Sequence, residues 1–332
     1  MSTLKIDELK NNGSAIDLPN GIKVGGNEIV QGYTSSGTQP ASPAKGDFWW
    51  DSTNQILYQY VNGEFKEIGI VANQNIDGAT YDNVSFSVGS QDGNFINVTF
   101  SGDGTKLFLL GLSNDSIFQY SLSTAFDIST ASYTNVSFSI TNQDSFPYDM
   151  WISPAGTKMW MVGLNSDKVH QYTLATANNL ATASYDNVYL DVSSRDNQCT
   201  AMAFKPDGTK FYIVGVDSDT VYQYTLSTAY NITTASYDNV TFSLASQDGT
   251  PNAIRFNPDG TKMYMLGNSN DTVFEYTLST AYDISTASYD DVSFSVTSQD
   301  ASPRGMTFNN DFSKMYIMGP TADYIYQYST GL

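Results

Sequence analysis

Tyr81, Tyr133, Tyr185, Tyr237 and Tyr289 stand at intervals of 52 residues, and Val84, Val136, Val188, Val240 and Val292 keep the same interval. So do the runs from Lys106 to Lys314, Gly111 to Gly319, Asp115 to Asp323 and Tyr120 to Tyr328. Chance does not produce five copies in one register. A fixed period of this length marks a supersecondary unit that buries its apolar faces only against its neighbours. The last copy is cut short.

Each copy reads as four short strands. In the fourth, Asn252–Phe256 is followed by an Asn-Pro-Asp-Gly turn. Lys262–Leu266 leads through a polar turn to Thr272–Leu278, whose residues alternate apolar and polar. A connection of about ten residues, STAYDISTAS, then reaches Val292–Val296. Second strands such as LFLL, FYIV and MYML are apolar on both faces, as sheets packed between two neighbours require. Met159, Met161, Met263, Met265, Met315 and Met318 read as adaptable core filling. Four-stranded units of this length suit propeller blades. A β-solenoid is the rival, but its rungs are usually shorter and need caps. Here a lone fourth strand, Tyr81–Val88, opens the repeats, and the chain stops just after a third strand. One blade completed from both ends would leave no open edge. The expected fold is therefore all-β: a five-bladed propeller of 52-residue repeats over residues 79–332, closed by an N-terminal strand.

The first 78 residues do not repeat. Residues 1–34 carry scattered apolar positions (Leu4, Ile6, Leu9, Ile16, Leu18, Ile22, Val24), too few for a core, so this β-rich region is expected to attach to a partner or to oligomerise. Residues 35–46 read as a Pro-containing flexible linker, and residues 47–78 as a small module built on a three-stranded meander with a hairpin at Asn62-Gly63. Trp49, Trp50, Tyr58 and Tyr60 are expected to pack against the propeller or other copies of the chain.

Composition removes several functions. With 15 basic and 34 acidic residues the net charge is −19, which repels phosphate backbones and anionic lipid. No nucleic acid and no membrane insertion is expected. The opening MSTLKIDELKNNG has no apolar h-region, so export through a Sec signal is not expected. A single Cys and a single His exclude an internal disulfide and a Cys- or His-built metal centre. No cofactor is expected.

The opening STLKIDELKNNG resembles the N-terminal segment of tail-fibre and related virion structural proteins of marine tailed bacteriophages. PASPAKGDFWWDSTNQILYQYVNGEFKEI resembles a small module of the same proteins, through Pro43, Gly46, Asp47, Trp49, Asp51, Leu57, Tyr58, Tyr60 and Gly63, with Phe65 where an aromatic, often Trp, is usual. The LSTAFDISTASY signature also recurs in phage and bacterial surface proteins. The resemblance spans nearly the whole chain. It implies a homotrimeric fibre or baseplate component of the phage tail, assembled in the host cytoplasm, with virion attachment through residues 1–78 and a distal binding domain.

Two sets of rim residues are candidates. Asp92, Asp144, Asp196, Asp248 and Asp300 occupy the loop between one blade's last strand and the next blade's first. As a ring they could hold a hard cation; as a repeated feature they are better read as acceptors for backbone N–H groups, with no metal bound. Asp115, Asp167, Asp219, Asp271 and Asp323 read as turn caps. The divergent residues Phe95, Asn97, Phe146, Tyr148, Asp149, Trp151, Asn252, Arg255 and Arg304 are expected to line the same rim and the channel. Exposed rings beside amides, carboxylates and guanidinium suit a carbohydrate site; packing or drift is the alternative. His170 reads as a packing substitute for Phe or Tyr, and Cys199 as a small buried residue.

The leading expectation is a phage virion protein, a tail-fibre or receptor-binding subunit that presents the propeller to a host glycan or protein, with no catalytic residues. A carbohydrate-binding adhesin is the second reading. A propeller glycosidase is the third, weakened because Asp149 is the one first-strand carboxylate found where at least two are needed.

Overall fold

The computed structural model describes residues 22–24, 27–29, 33–36, 38–39, 41–45, 47–51, 56–61, 63–67, 75–321 and 323–332. The chain forms two compact units, Met1–Gln74 and Asn75–Leu332. Among the described residues no helix is long and apolar enough to cross a membrane.

In the first unit, Ile22–Val24 pairs antiparallel with Asn27–Ile29. A separate sheet runs Tyr33–Ser36, Phe48–Asp51, Ile56–Val61, Glu64–Glu67. The last three are the expected meander, closed at Gly63, whose φ of +91° only glycine adopts freely. The fourth member is a correction. Tyr33–Ser36 lies parallel to Phe48–Asp51, so the region read as linker begins with two residues in a sheet. Parallel pairing needs a crossover between the two strands. Asp47 shapes the end of that crossover: its Oδ2 accepts the Ala44 N–H at 2.7 Å and its carbonyl accepts the Tyr60 N–H. Trp49 is buried, stacked on Tyr58 with centroids 4.9 Å apart and met edge-on by Phe65. These rings pack on one another within the module. The Trp50 side chain and Leu4, Ile6, Leu9, Ile16 and Leu18 lie outside the described residues.

The second unit is a five-bladed propeller. Blade one is Phe95–Phe100, Lys106–Gly111, Ser116–Leu122 and Ala131–Ser139. Blades two, three and four repeat this order from Pro147, Cys199 and Pro251. Blade five takes Gly305–Phe308, Lys314–Gly319 and Tyr324–Ser329 from the chain's end and Thr80–Ser87 from its beginning, with Tyr328 opposite Tyr81 and Gln327 opposite Val84. First strands lie around the axis, each beside the next, and the fifth returns to the first. At that joint the Cα of Gly305 has no room for a side chain: a Cβ would sit 2.9 Å from the Asn97 Cα.

The core is not central. Five apolar clusters lie between neighbouring blades. Phe95, Leu109 and Phe118 of blade one, for example, meet Tyr316, Met318 and Ile325 of blade five. The six methionines expected as filling are fully buried.

Each connection from third to fourth strand contains one 3-10 turn that buries an aliphatic residue: Ile128, Leu180, Ile232, Ile284. The equivalent turn of blade five is Ile76–Gly78. For that reason residues 75–78 belong to the propeller unit rather than to the preceding module.

Candidate functional site

The propeller has two faces. One carries the crossovers between blades and the turns between second and third strands. The other carries the hairpins between first and second strands.

On the crossover face the repeated aspartates are buried and turned toward the backbone. Asp92 accepts the N–H groups of Asn94 (2.9 Å), Ser113 (3.3 Å) and Asn114 (2.9 Å). Asp248 does the same with Thr250, Ser269 and Asn270. Asp144 and Asp196 follow the pattern, and Asp300 takes the Ser302 N–H at 2.8 Å. The carboxylates of Asp92, Asp144, Asp196 and Asp248 thus tie the crossover to the neighbouring turn. Glycine ends every second strand for the same reason: a Cβ at Gly111 would lie 2.5 Å from Asp92 Oδ2, and one at Gly215 2.1 Å from Asp196. Asp115, Asp167, Asp219, Asp271 and Asp323 hold left-handed φ values of 43–51°. Their carbonyls accept the N–H that ends each fourth strand, as in Ile140 to Asp115 at 2.9 Å. Burial raises the Asp115 carboxyl, and repulsion from Asp144 and Asp92 adds to it. Among the described residues no three His, Cys, Asp or Glu side chains are grouped to hold a metal ion.

The channel is closed by side chains. Asn97, Asp149, Ala201, Ala253 and Gly305 occupy the same place in the five first strands. Asp149 is fully buried. It accepts Asn97 Nδ2 at 2.6 Å, the Met150 N–H at 2.8 Å and the Met202 N–H at 2.7 Å, with Arg255 Nη2 3.6 Å away. Burial still raises its carboxyl, against the pull of Arg255 and these N–H groups. Tyr148 donates to Asn252 Oδ1 at 3.1 Å, Asn252 donates to the Pro303 carbonyl, and the Arg304 guanidinium lies 5.7 Å from the Tyr148 ring centre. Bulges at the start of the first strands in blades one to four, as between Pro147 and Asp149, allow these side chains to meet on the axis.

The divergent residues therefore do not form an exposed rim of rings and polar groups. Asn97, Asp149 and Arg255 form one buried cluster, and Tyr148 with Asn252 another. Phe95 is fully buried and meets Phe118 between blades, and Phe146 packs half-buried beside Tyr148 in the cluster between blades one and two. Trp151 sits nearer the other end of its strand, against Trp160, Phe204 and Tyr230 on the hairpin face. A first strand of six residues spans the propeller's thickness, so its two ends serve opposite faces.

Sequence reasoning missed Phe312. Blades one to four have glycine at its position: Gly104, Gly156, Gly208 and Gly260, with φ of 69–75°. In three of them an aromatic ring from the third-to-fourth connection (Phe126, Tyr230, Tyr282) covers the glycine, and in blade two Asn178 does so. In blade five Phe312 supplies a ring from the turn itself, stacked 4.3 Å from Phe308. It keeps a left-handed φ of 61°, a conformation that costs a bulky residue of order 1 kcal/mol or more. The signal was legible: NNDFS stands where blades two, three and four carry a P-x-G-T turn and blade one G-D-G-T.

His170 replaces a Phe or Tyr on a third strand. It is buried, with Nε2 3.1 Å from Ser166 Oγ and Nδ1 3.2 Å from the Tyr185 hydroxyl. Burial lowers its pKa to about 4. Cys199 is a buried free thiol whose pKa burial pushes up.

No family model matches the chain, and no curated protein matches it. Among solved structures, a protein of unknown function from Desulfotomaculum acetoxidans is 12% identical, with 80% of this chain and 68% of that one covered and a TM-score of 0.43. A candidate 6-phosphogluconolactonase from Bacteroides uniformis is 12% identical, covering 83% and 89%, with a TM-score of 0.47. The β-propeller domain of Cps50 (Swd1) from Myceliophteria thermophila is 8% identical, covering 76% and 99%, with a TM-score of 0.44. At such identities and scores nothing about activity carries across.

Proposed function

We propose that the chain is a binding component of a phage virion, a tail-fibre or receptor-binding subunit. Residues 1–74 attach and trimerise it, and the propeller presents a surface to a host glycan or protein. The reading draws on the resemblance of the two N-terminal segments to virion proteins. The observation that carries it lies in the propeller. The groups best suited to acid–base chemistry are engaged in the fold: Asp149 with four neighbours along the axis, Asp92 and Asp248 with backbone N–H groups, and His170 between two hydroxyls. Polar groups so engaged stabilise an arrangement and have no free valence for acid–base work.

The test is immunogold labelling of purified tailed particles with antibody against residues 75–332, paired with an adsorption assay in which the free chain competes. Tail labelling and blocked adsorption support the reading. Particles without label, or release of reducing sugar from surface polysaccharide by the purified chain, overturn it.

A further inference from the structure

At the mouth of the channel on the hairpin face lies an open cavity of about 340 Å³. Its floor is one register of the five first strands: Thr99, Trp151, Ala203, Arg255 and Thr307. Around them stand aromatic rings, among them Phe308 and the exceptional Phe312. Sheet, turn and core positions repeat from blade to blade; this register does not.

Its polar groups have unused capacity. Arg255 is 8% exposed. Its Nη1 donates to the carbonyls of Ile254 and Met202, while Nη2 is buried without a hydrogen bond. Thr99 and Thr307 are also buried, and their hydroxyls have no partner among the described residues. Arg255 Nη2 is enclosed beside Asp149, so the hydroxyls of Thr99 and Thr307 are the groups with which an occupant of the cavity can form new hydrogen bonds.

Charge decides the class of occupant. The Arg255 guanidinium faces Asp149 at 3.6 Å, so the pair brings no net charge to the cavity. The whole chain carries −19, which opposes an anion at long range. What remains is flat aromatic surface beside hydroxyls and one hydrogen-bonding guanidinium, uncharged overall. That combination fits a ligand with apolar C–H faces and a periphery of hydroxyls. We propose that the hairpin-face mouth binds one neutral sugar ring, the end or a branch of a glycan. The volume is near the lower end of ligand cavities, which suits a single ring rather than a chain. The assignment deepens the binding reading above and moves its ligand to the face opposite the crossovers.

The test uses the purified full-length chain and saturation-transfer NMR with glucose, galactose, mannose and N-acetylglucosamine, and with glucuronate and sulfate as anionic probes. At least one neutral sugar should saturate with a dissociation constant of order millimolar. Phe312→Gly installs the residue of the other four blades, so it should fold while removing one wall. Thr99→Ala combined with Thr307→Ala removes both free hydroxyls. Each variant should weaken binding by roughly tenfold, the effect of about 1.4 kcal/mol, with unchanged circular dichroism. No saturation by any neutral sugar up to ~100 mM, a hundredfold above that constant, overturns the proposal. So does preference for glucuronate or sulfate, or binding that both folded variants leave unaltered. These outcomes are independent of particle labelling, so the ligand assignment and the virion assignment fail separately.

Discussion

Glu275 on the third strand of blade four accepts the backbone N–H of Ile76 at 2.7 Å, across 199 residues of chain. The same contact recurs around the ring with glutamine as acceptor: Gln119 to Leu180 at 2.7 Å, Gln171 to Ile232 at 3.4 Å, Gln223 to Ile284 at 3.1 Å. Four of the five third strands thus clip the 3-10 turn of the next blade, while the Gln327 Oε1 of blade five is buried without a hydrogen bond. The one carboxylate in the series holds the segment that enters the ring from the N-terminal side.

This exchange has a measurable cost. Glu275 is fully buried, and burial raises its carboxyl pKa despite the Lys262 ammonium 2.7 Å away. A folded-state pKa above the unfolded one stabilises most at low pH, and the benefit fades as pH rises through it. Glu275→Gln keeps the acceptor and removes the charge. It should be neutral or stabilising by up to about 1 kcal/mol at pH 7, with the gain vanishing below the ordinary glutamate range. Glu275→Ala leaves the Ile76 N–H unpaired and should cost about 1–3 kcal/mol. Urea unfolding at pH 7 and pH 4 reads both.

His170 predicts pH dependence of the opposite sign. Its pKa near 4 lies below the unfolded value of 6.5, so the unfolded chain binds the extra proton first. Stability should fall as pH drops from 6.5 to 4, by about 2 kcal/mol after allowing for partial solvent access. Burial also raises the carboxyls of Asp149 and Glu275, so the informative quantity is a difference. His170→Tyr installs the residue of Tyr222, whose hydroxyl reaches Ser218 Oγ and the Arg195 carbonyl. The wild-type minus variant stability should slope across that window and be flat above pH 7.

Removing a crossover aspartate should be expensive. Asp248→Ala strands three backbone N–H groups and should cost about 2–4 kcal/mol. Gly267→Ala should cost a similar amount from the other side, because its Cβ would lie 2.3 Å from the Asp248 carboxyl carbon. Their double mutant should be less destabilised than the sum, since the collision disappears with the carboxylate.

Much of this was readable in the chain. The period, the Pro-Asp-Gly turns and a fourth strand ahead of the first full copy sufficed for the blades and their closure. The repeated aspartates were separable from a cation ring because identical residues at identical places perform one job five times. The fate of the divergent residues was not readable. Asn97, Asp149 and Arg255 belong to three different blades, and only the closed ring brings Asn97 Nδ2 to 2.6 Å and Arg255 Nη2 to 3.6 Å from the Asp149 carboxylate. Trp151 follows Asp149 by two positions, yet a strand's rise carries it to the opposite face. Phe312 broke a turn pattern visibly, but the covering ring it replaces comes from a different part of the repeat.

Ring closure can be tested by deletion. A chain of residues 75–332 contains every pairing of the second unit and should unfold in one cooperative transition. A chain of residues 88–332 lacks the strand opposite Tyr324–Ser329. It should expose a bare edge, unfold at lower denaturant and aggregate. Equal stability of the two would contradict the closure.

The pairing of Thr80–Ser87 with Tyr324–Ser329 also sets a timetable for biosynthesis. The ribosome delivers the closing strand more than two hundred residues before its mate, so the nascent molecule carries an unmatched ribbon while four blades are made. That ribbon, YDNVSFS, is nearly the same as the YDNVTFS and YDDVSFS strands further along. At high nascent-chain density two molecules can trade these ribbons and close each other instead of themselves, giving an interlocked pair. Slow, dilute synthesis should favour solitary rings.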